Sequence, residues 1–380
     1  MAQVQIARGL EGIVSHATQL SEVDGSAGRL VIRGYDIDQL VGQVSFEEVA
    51  HLLWYGDLPT PSQLEALRAH MAEARRLPTP ILEWLWGPGR HATGMHALRM
   101  GVAMLTLDES RPDDVSPQVN LHRAATVTAR VPALIAQHVR ARSGQDPGEA
   151  PDHLGFAASY LYLLEGREPD PTRVEALDAY LVTVIEHGMN ASTFTARVIA
   201  STESDMVSAL TGAVGALKGP LHGGVPGPVL EMLEGIRTPE CAESWVRSAL
   251  DRGERIMGFG HRVYKVRDPR AEVLSRVAER LAETSGDRRL LDLTHEVERA
   301  TVRVLQEAKP GRDLYANVEL YAALVLHEAG IPPELFTPTF AASRTAGWTA
   351  HILEQYGDNR LIRPQSVYVG PRNRRRVSGP

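Results

Sequence analysis

Residues 258–270 read Gly-Phe-Gly-His-Arg-Val-Tyr-Lys-Val-Arg-Asp-Pro-Arg. His261 therefore stands directly behind a Gly-Phe-Gly turn, and Arg262, Lys265, Arg267 and Arg270 follow it. Glycine has no Cβ and tolerates positive φ, so Gly258 and Gly260 let the backbone come close to a ligand. The segment reads as a small anion-binding loop that also holds one acid or base. A second histidine, His222, lies in Gly219-Pro220-Leu221-His222-Gly223-Gly224, where the chain must bend sharply before a helix expected over Pro228–Leu233. Glu319 is the one carboxylate in the otherwise apolar helix start Leu314–Tyr321, and a buried carboxylate is costly unless it is paired or used. Arg344 sits among the small residues of Ser343–Trp348, and Arg363 in the run Asn359–Pro364. Histidines can donate to two carbonyl oxygens, a carboxylate can remove a carbon-bound proton, and arginines clamp carboxylates bidentately. Together these residues point to carbonyl chemistry on a polyanionic substrate.

The elements that must position them are helices. Ser45 with Glu48 forms a capping box ahead of Val49, Ala50, Leu52 and Leu53. Thr60-Pro61, Asp170-Pro171 and Thr238-Pro239 each place a cap and then a proline at the first helical position. Apolar residues follow each pair at helical spacing, such as Val174, Leu177, Leu181 and Val184. Strand-like alternation is confined to about Gly12–Ile37, with a hairpin turn at Asp24-Gly25. Loops are expected over Asp108–Ser116, Ser143–Asp152 and Ser285–Arg288, and a mobile tail over Pro371–Pro380.

With 380 residues the chain exceeds one average domain, so two are expected. A net charge of −7 argues against a nucleic-acid binder and requires a local basic site for any anionic ligand. Cys241 is the single cysteine, which excludes an internal disulfide or a multi-cysteine zinc site; it reads as a small packed or half-exposed residue. Residues Met1–Val14 lack a signal or transit pattern, and no run of eighteen apolar residues exists, so a cytoplasmic protein without a membrane span is expected. Phosphate-loop, zinc-protease and serine-elbow motifs are absent, and the pair Gly258 and Gly260 lacks the third glycine of a dinucleotide fingerprint.

In order and spacing these segments resemble the citrate synthase family over nearly the whole chain. The likeness runs from Gly9-Leu10-Glu11-Gly12 through Arg33-Gly34-Tyr35, Phe46-Glu47-Glu48-Val49 and His187-Gly188-Met189-Asn190-Ala191-Ser192-Thr193-Phe194. It continues through Gly258–Arg270 and Thr337–Gln355 to Arg363-Pro364. The resemblance implies condensation of acetyl-CoA with oxaloacetate and water, with acyl-CoA as cosubstrate, no permanently bound cofactor and no metal. It implies Glu319 as the base that takes the acetyl methyl proton, His222 as the stabiliser of the enol, and His261 as the group polarising the keto carbonyl. His187, Arg270 and Arg344 would hold the dicarboxylate, with Arg363 reaching in from the second subunit of a homodimer. Arg255, Met257, Gly258, Gly260, Arg262 and Lys265 would meet CoA.

The implied fold is all-α, with a large helical domain over 1–220 and 322–380 and a smaller one over 221–321, the site lying in the cleft. Three departures stand out. Glu319 replaces the usual aspartate, although one branch of the family carries glutamate there. His222 is followed by Gly223-Gly224-Val225-Pro226-Gly227 instead of Gly-Gly-Ala-Asn-Glu, and Thr93-Gly94-Met95-His96 replaces His-Pro-Met-Asp. Two other readings stand beside the first: a 2-methylcitrate synthase using propionyl-CoA, and a catalytically weak CoA- or dicarboxylate-binding sensor or scaffold.

Overall fold

The structure, a computed structural model, describes residues 6–108, 114–222, 226–261, 263–308, 314–372 and 374. Helices dominate it, as the sequence pattern requires. The expected caps form where the donor and acceptor are local. Ser45 N donates to Glu48 Oε2 at 2.7 Å ahead of the helix Phe46–Tyr55. Asp170 Oδ1 accepts from Thr172 N at 2.8 Å ahead of Pro171–Val184. At Thr238-Pro239 the outcome differs: a single 3-10 turn, Pro239–Cys241, intervenes, and the helix runs Ala242–Asp251. Cys241 is its N-cap and is exposed, not packed, because the buried face is Ala242, Val246 and Ala249. The helix after His222 begins at Pro226, two residues earlier than expected, and runs to Ile236. Most of the Pro371–Pro380 tail, and residues 109–113 of the loop expected over Asp108–Ser116, lie outside the described residues.

The expected strand region yields a three-stranded antiparallel sheet, Ser21–Asp24, Arg29–Ile32 and Tyr35–Asp36, with Asp24 paired to Arg29 across the first turn. Asp24 Oδ1 accepts from Ser26 N and Ala27 N, both at 2.9 Å, which closes that turn.

At the centre lies the helix Phe336–Gly357, which packs against Pro117–Arg142, Ala191–Ala200 and Met206–Leu217. Phe336, Trp348 and Ile352 on it are wholly buried, each contributing roughly 1.5–3 kcal/mol. That apolar payload offsets a guanidinium in the same helix, since Arg344 is 2% exposed. No helix among the described residues is long and apolar enough to cross a membrane.

Candidate active site

Three segments, with His222 and Pro226 beside them, converge on a cavity of about 170 Å³ lined by His187, His222, His261, Arg270, Glu319 and Arg344. Tyr180, Asn190, Asn317, Pro226 and apolar Val184, Val318, Ala322 and Phe340 complete its wall. Six of the seven residues singled out as catalytic or dicarboxylate-binding are thus brought together from positions 157 residues apart. Arg363, the seventh, is exposed on the extended stretch after the last helix and does not line the cavity of its own chain. Arg255, Met257, Gly258, Gly260 and Lys265 also lie outside the lining, and Arg262 falls outside the described residues.

The first segment is the turn 185–190. Glu186 is wholly buried, and its Oε1 accepts from Gly188 N at 2.6 Å, Ser21 Oγ at 3.0 Å and, across a 3.0 Å contact, His351 Nε2. Gly188 takes φ +59°, the left-handed conformation that suits glycine, and so turns His187 toward the cavity wall. Asn190 then caps the helix Ala191–Ala200, its Oδ1 accepting from Thr193 N at 3.1 Å.

The second segment is the 258–268 loop, tied edge-on to 315–317. Gly260 N donates to Tyr315 O at 2.8 Å, Asn317 N to Gly258 O at 2.9 Å, and Asn317 Nδ2 to Gly260 O at 2.9 Å. Asn317 also caps the helix Val318–Glu328, accepting from Glu319 N at 2.9 Å. One asparagine therefore fixes both the His261 loop and the Glu319 backbone. Asp268 serves the same loop from below. It forms a buried bidentate pair with Arg270, at 3.0 and 2.7 Å, and accepts from Val318 N at 3.2 Å. Arg344, on the third segment, donates through Nε to Val184 O at 2.7 Å and lies 4.6 Å from the Phe340 ring centroid. Among the described residues no carboxylate lies within ion-pair distance of it.

Hydrogen-bond donors fix the tautomers of two histidines. His261 Nδ1 accepts from Val263 N and Tyr264 N, both at 3.1 Å, so its hydrogen is on Nε2. His222 Nε2 accepts from Ser192 N at 3.2 Å, so its hydrogen is on Nδ1. Burial, with Arg270 beside His261 and Arg344 near His222, holds both imidazoles down to about 4. Burial and the same two arginines push His187 well below its ordinary value, and its Nε2 lies 3.0 Å from Tyr264 Oη. Glu319 moves the opposite way: burial raises its carboxyl, against the opposing field of Arg270. The site thus holds neutral imidazole donors and a carboxylate of raised basicity, the pairing that proton abstraction beside a carbonyl needs. A separate cluster, His16, His351 and Glu354, has ligand atoms within 4.8 Å of one another. There Arg197 already donates to His351 Nδ1 at 3.2 Å and to Glu354 Oε2 at 2.7 Å, so a guanidinium fills the cation position.

The hairpin buttresses this arrangement. Lys265 N donates to Gly25 O at 2.8 Å, and a Cβ at Gly25 would stand 2.2 Å from Val263 O. Gly25→Ala must displace the loop that carries His261. We expect kcat/KM to fall on the order of 10²-fold, the effect of about 1 Å of misplacement, with helical circular dichroism retained. Unchanged kcat/KM would show that the contact does not position the loop.

Asp268, Tyr264, Ser192 and Glu186 hold the site together without having been singled out from sequence. Only Asp268 carried a local signal, since Asp268-Pro269 repeats the cap-and-proline device of Asp170-Pro171.

Known proteins resemble this chain over nearly its whole length. The family model described as citrate synthase, C-terminal domain, matches residues 9–365. The chain is 43% identical to the citrate synthase of Haloferax volcanii over 374 residues, 97% of each chain. It is 40% identical to the citrate/2-methylcitrate synthase of Bacillus subtilis, over 96% of each. Among solved structures it superposes, at a TM-score of 0.88 and 29% identity over 98% of each chain, on the Thermoplasma acidophilum citrate synthase in ternary complex with carboxymethyl coenzyme A and oxaloacetate. The chain belongs to the citrate synthase family. It is an enzyme of the citrate synthase type, an acyltransferase that converts acyl to alkyl on transfer.

Proposed function

We propose that this chain condenses acetyl-CoA with oxaloacetate and water to give citrate and CoA, acting as a cytoplasmic homodimer. Glu319 takes a methyl proton from the acetyl thioester. His222, through Nδ1–H, donates to the thioester oxygen of the enol that forms. His261, through Nε2–H, polarises the keto carbonyl of oxaloacetate. The enol carbon bonds to that carbonyl carbon, the C=O π pair moves to oxygen, and the oxygen takes the Nε2 proton to become the hydroxyl of the citryl thioester. Water then cleaves the citryl thioester, releasing CoA. The carrying observation is the pair of neutral imidazoles, held in opposite tautomers by backbone N–H donors, on one cavity wall with a carboxylate of raised pKa. A neutral imidazole is a donor that does not acidify the site it serves, and it needs no reorganisation when charge develops.

His187, Arg270 and Arg344 hold the dicarboxylate in this reading. Arg363, exposed in its own chain, enters the cavity of the neighbouring subunit. The 255–265 loop, with Arg255, Met257, Gly258, Gly260, Arg262 and Lys265, meets CoA. Residues 221–321 form a smaller domain that closes on the rest, excluding water from the enol step. Propionyl-CoA as acyl donor is the second reading, favoured by the 40% identity to a relative named citrate/2-methylcitrate synthase.

Release of CoA, followed with a thiol reagent, tests both readings. Oxaloacetate-dependent release is expected with acetyl-CoA, and more slowly with propionyl-CoA. The exposed Cys241 adds one constant background equivalent. A higher kcat/KM with propionyl-CoA would favour the second reading, and no release with either would end both.

A further inference from the structure

Seven buried side-chain polar atoms among the described residues have no hydrogen-bond partner, and Tyr180 Oη is the only one whose residue lines the active-site cavity. Tyr180 is wholly buried on the helix Pro171–Val184, one turn before the Val184 carbonyl that anchors Arg344. The fold can satisfy a phenol in such surroundings. Tyr160, equally buried, has its hydroxyl 3.0 Å from Thr339 Oγ1. A buried hydroxyl without a partner is destabilising, so one retained at a cavity wall calls for a ligand atom.

The neighbours say which kind. Burial keeps the Tyr180 phenol protonated, and the fields of Arg344 and Arg270 as well as that of Glu319 reach it. It is therefore a donor beside two guanidinium groups, where an anionic oxygen is the best acceptor. We propose that Tyr180 is a substrate-binding residue whose hydroxyl donates to a carboxylate oxygen of the dicarboxylate held by Arg344. This assignment rests on the citrate synthase reading. A Tyr at 180 then adds a directional donor to the ionic clamp, so the site reads the position of the carboxylate as well as its charge.

Tyr180→Phe removes one oxygen and nothing else. The parent enzyme is assayed first: without oxaloacetate-dependent CoA release from it, the functional reading itself fails. Given that release, the variant should show an oxaloacetate KM raised on the order of 10- to 100-fold, the range for a hydrogen bond to a charged group. The KM for acetyl-CoA at saturating oxaloacetate and kcat should stay within about threefold. The ligand-free thermal midpoint should not fall, because the hydroxyl has no protein partner to lose, while the rise in midpoint on adding oxaloacetate should shrink. Tyr160→Phe is the control, expected to lose stability with oxaloacetate KM unchanged. An unchanged oxaloacetate KM in Tyr180→Phe overturns the proposal. A variant that melts early or fails to fold overturns it equally, since the hydroxyl would then serve the protein.

Discussion

Glu319→Gln should lower kcat by at least about 10²-fold, the usual contribution of a positioned general base, with the oxaloacetate KM little changed. Glutamine keeps the shape of the side chain, and Asn317 still caps the helix through the backbone of residue 319. Only the basic oxygen is lost. The pH profile provides an independent check. Burial raises the Glu319 carboxyl, so the parent should lose activity as pH falls through a value above the ordinary carboxylate range. His222 and His261 are held down to about 4, so their protonation falls on the acid side of that limb. The residual activity of Glu319→Gln should therefore lack the limb. Glu319→Asp reports on geometry: a gain would mean that the longer arm is a handicap, a loss that the local backbone has adapted to glutamate. Full turnover in Glu319→Gln would assign the base elsewhere.

What the sequence reveals and what it hides divide along a physical line. Caps at Ser45 and Asp170 are legible because their donors and acceptors lie within three residues. Glu319 and Arg344 are legible because a charged group in an apolar helix is an anomaly wherever it occurs. Tyr180 gives no such sign. It falls in the stripe Val174, Leu177, Leu181 and Val184 and reads as one more core residue; the cavity and its unpartnered hydroxyl distinguish it from Tyr160. Glu186 is hidden for another reason. Its function is to join Ser21, Gly188 and His351, which no local spacing relates. Arg363 remains legible only by resemblance, because its own chain gives it no place in the cavity.

Arg344 is the residue whose replacement should most damage dicarboxylate binding. It is 2% exposed, with no carboxylate within ion-pair distance among the described residues. Burial lowers its guanidinium to about 10, against the opposing field of Glu186, and it remains charged at neutral pH. A buried cation kept in this way lacks a partner that a bound carboxylate would supply. Arg344→Ala should raise the oxaloacetate KM by about 10²-fold or more, as expected when a desolvated charged contact is removed. Arg344→Lys is the sharper test. The arginine uses Nε on Val184 O and leaves the two terminal nitrogens of its fork for a ligand. A single ammonium cannot hold that carbonyl and also grip a carboxylate bidentately. The lysine variant should therefore fall closer to alanine than to the parent, although its charge still faces Glu186. Steady-state kinetics with oxaloacetate varied at saturating acetyl-CoA measure this directly. Should lysine restore the parent KM, charge alone would suffice and the fork would not be the recognising element; should alanine also match the parent, Arg344 would not hold the dicarboxylate.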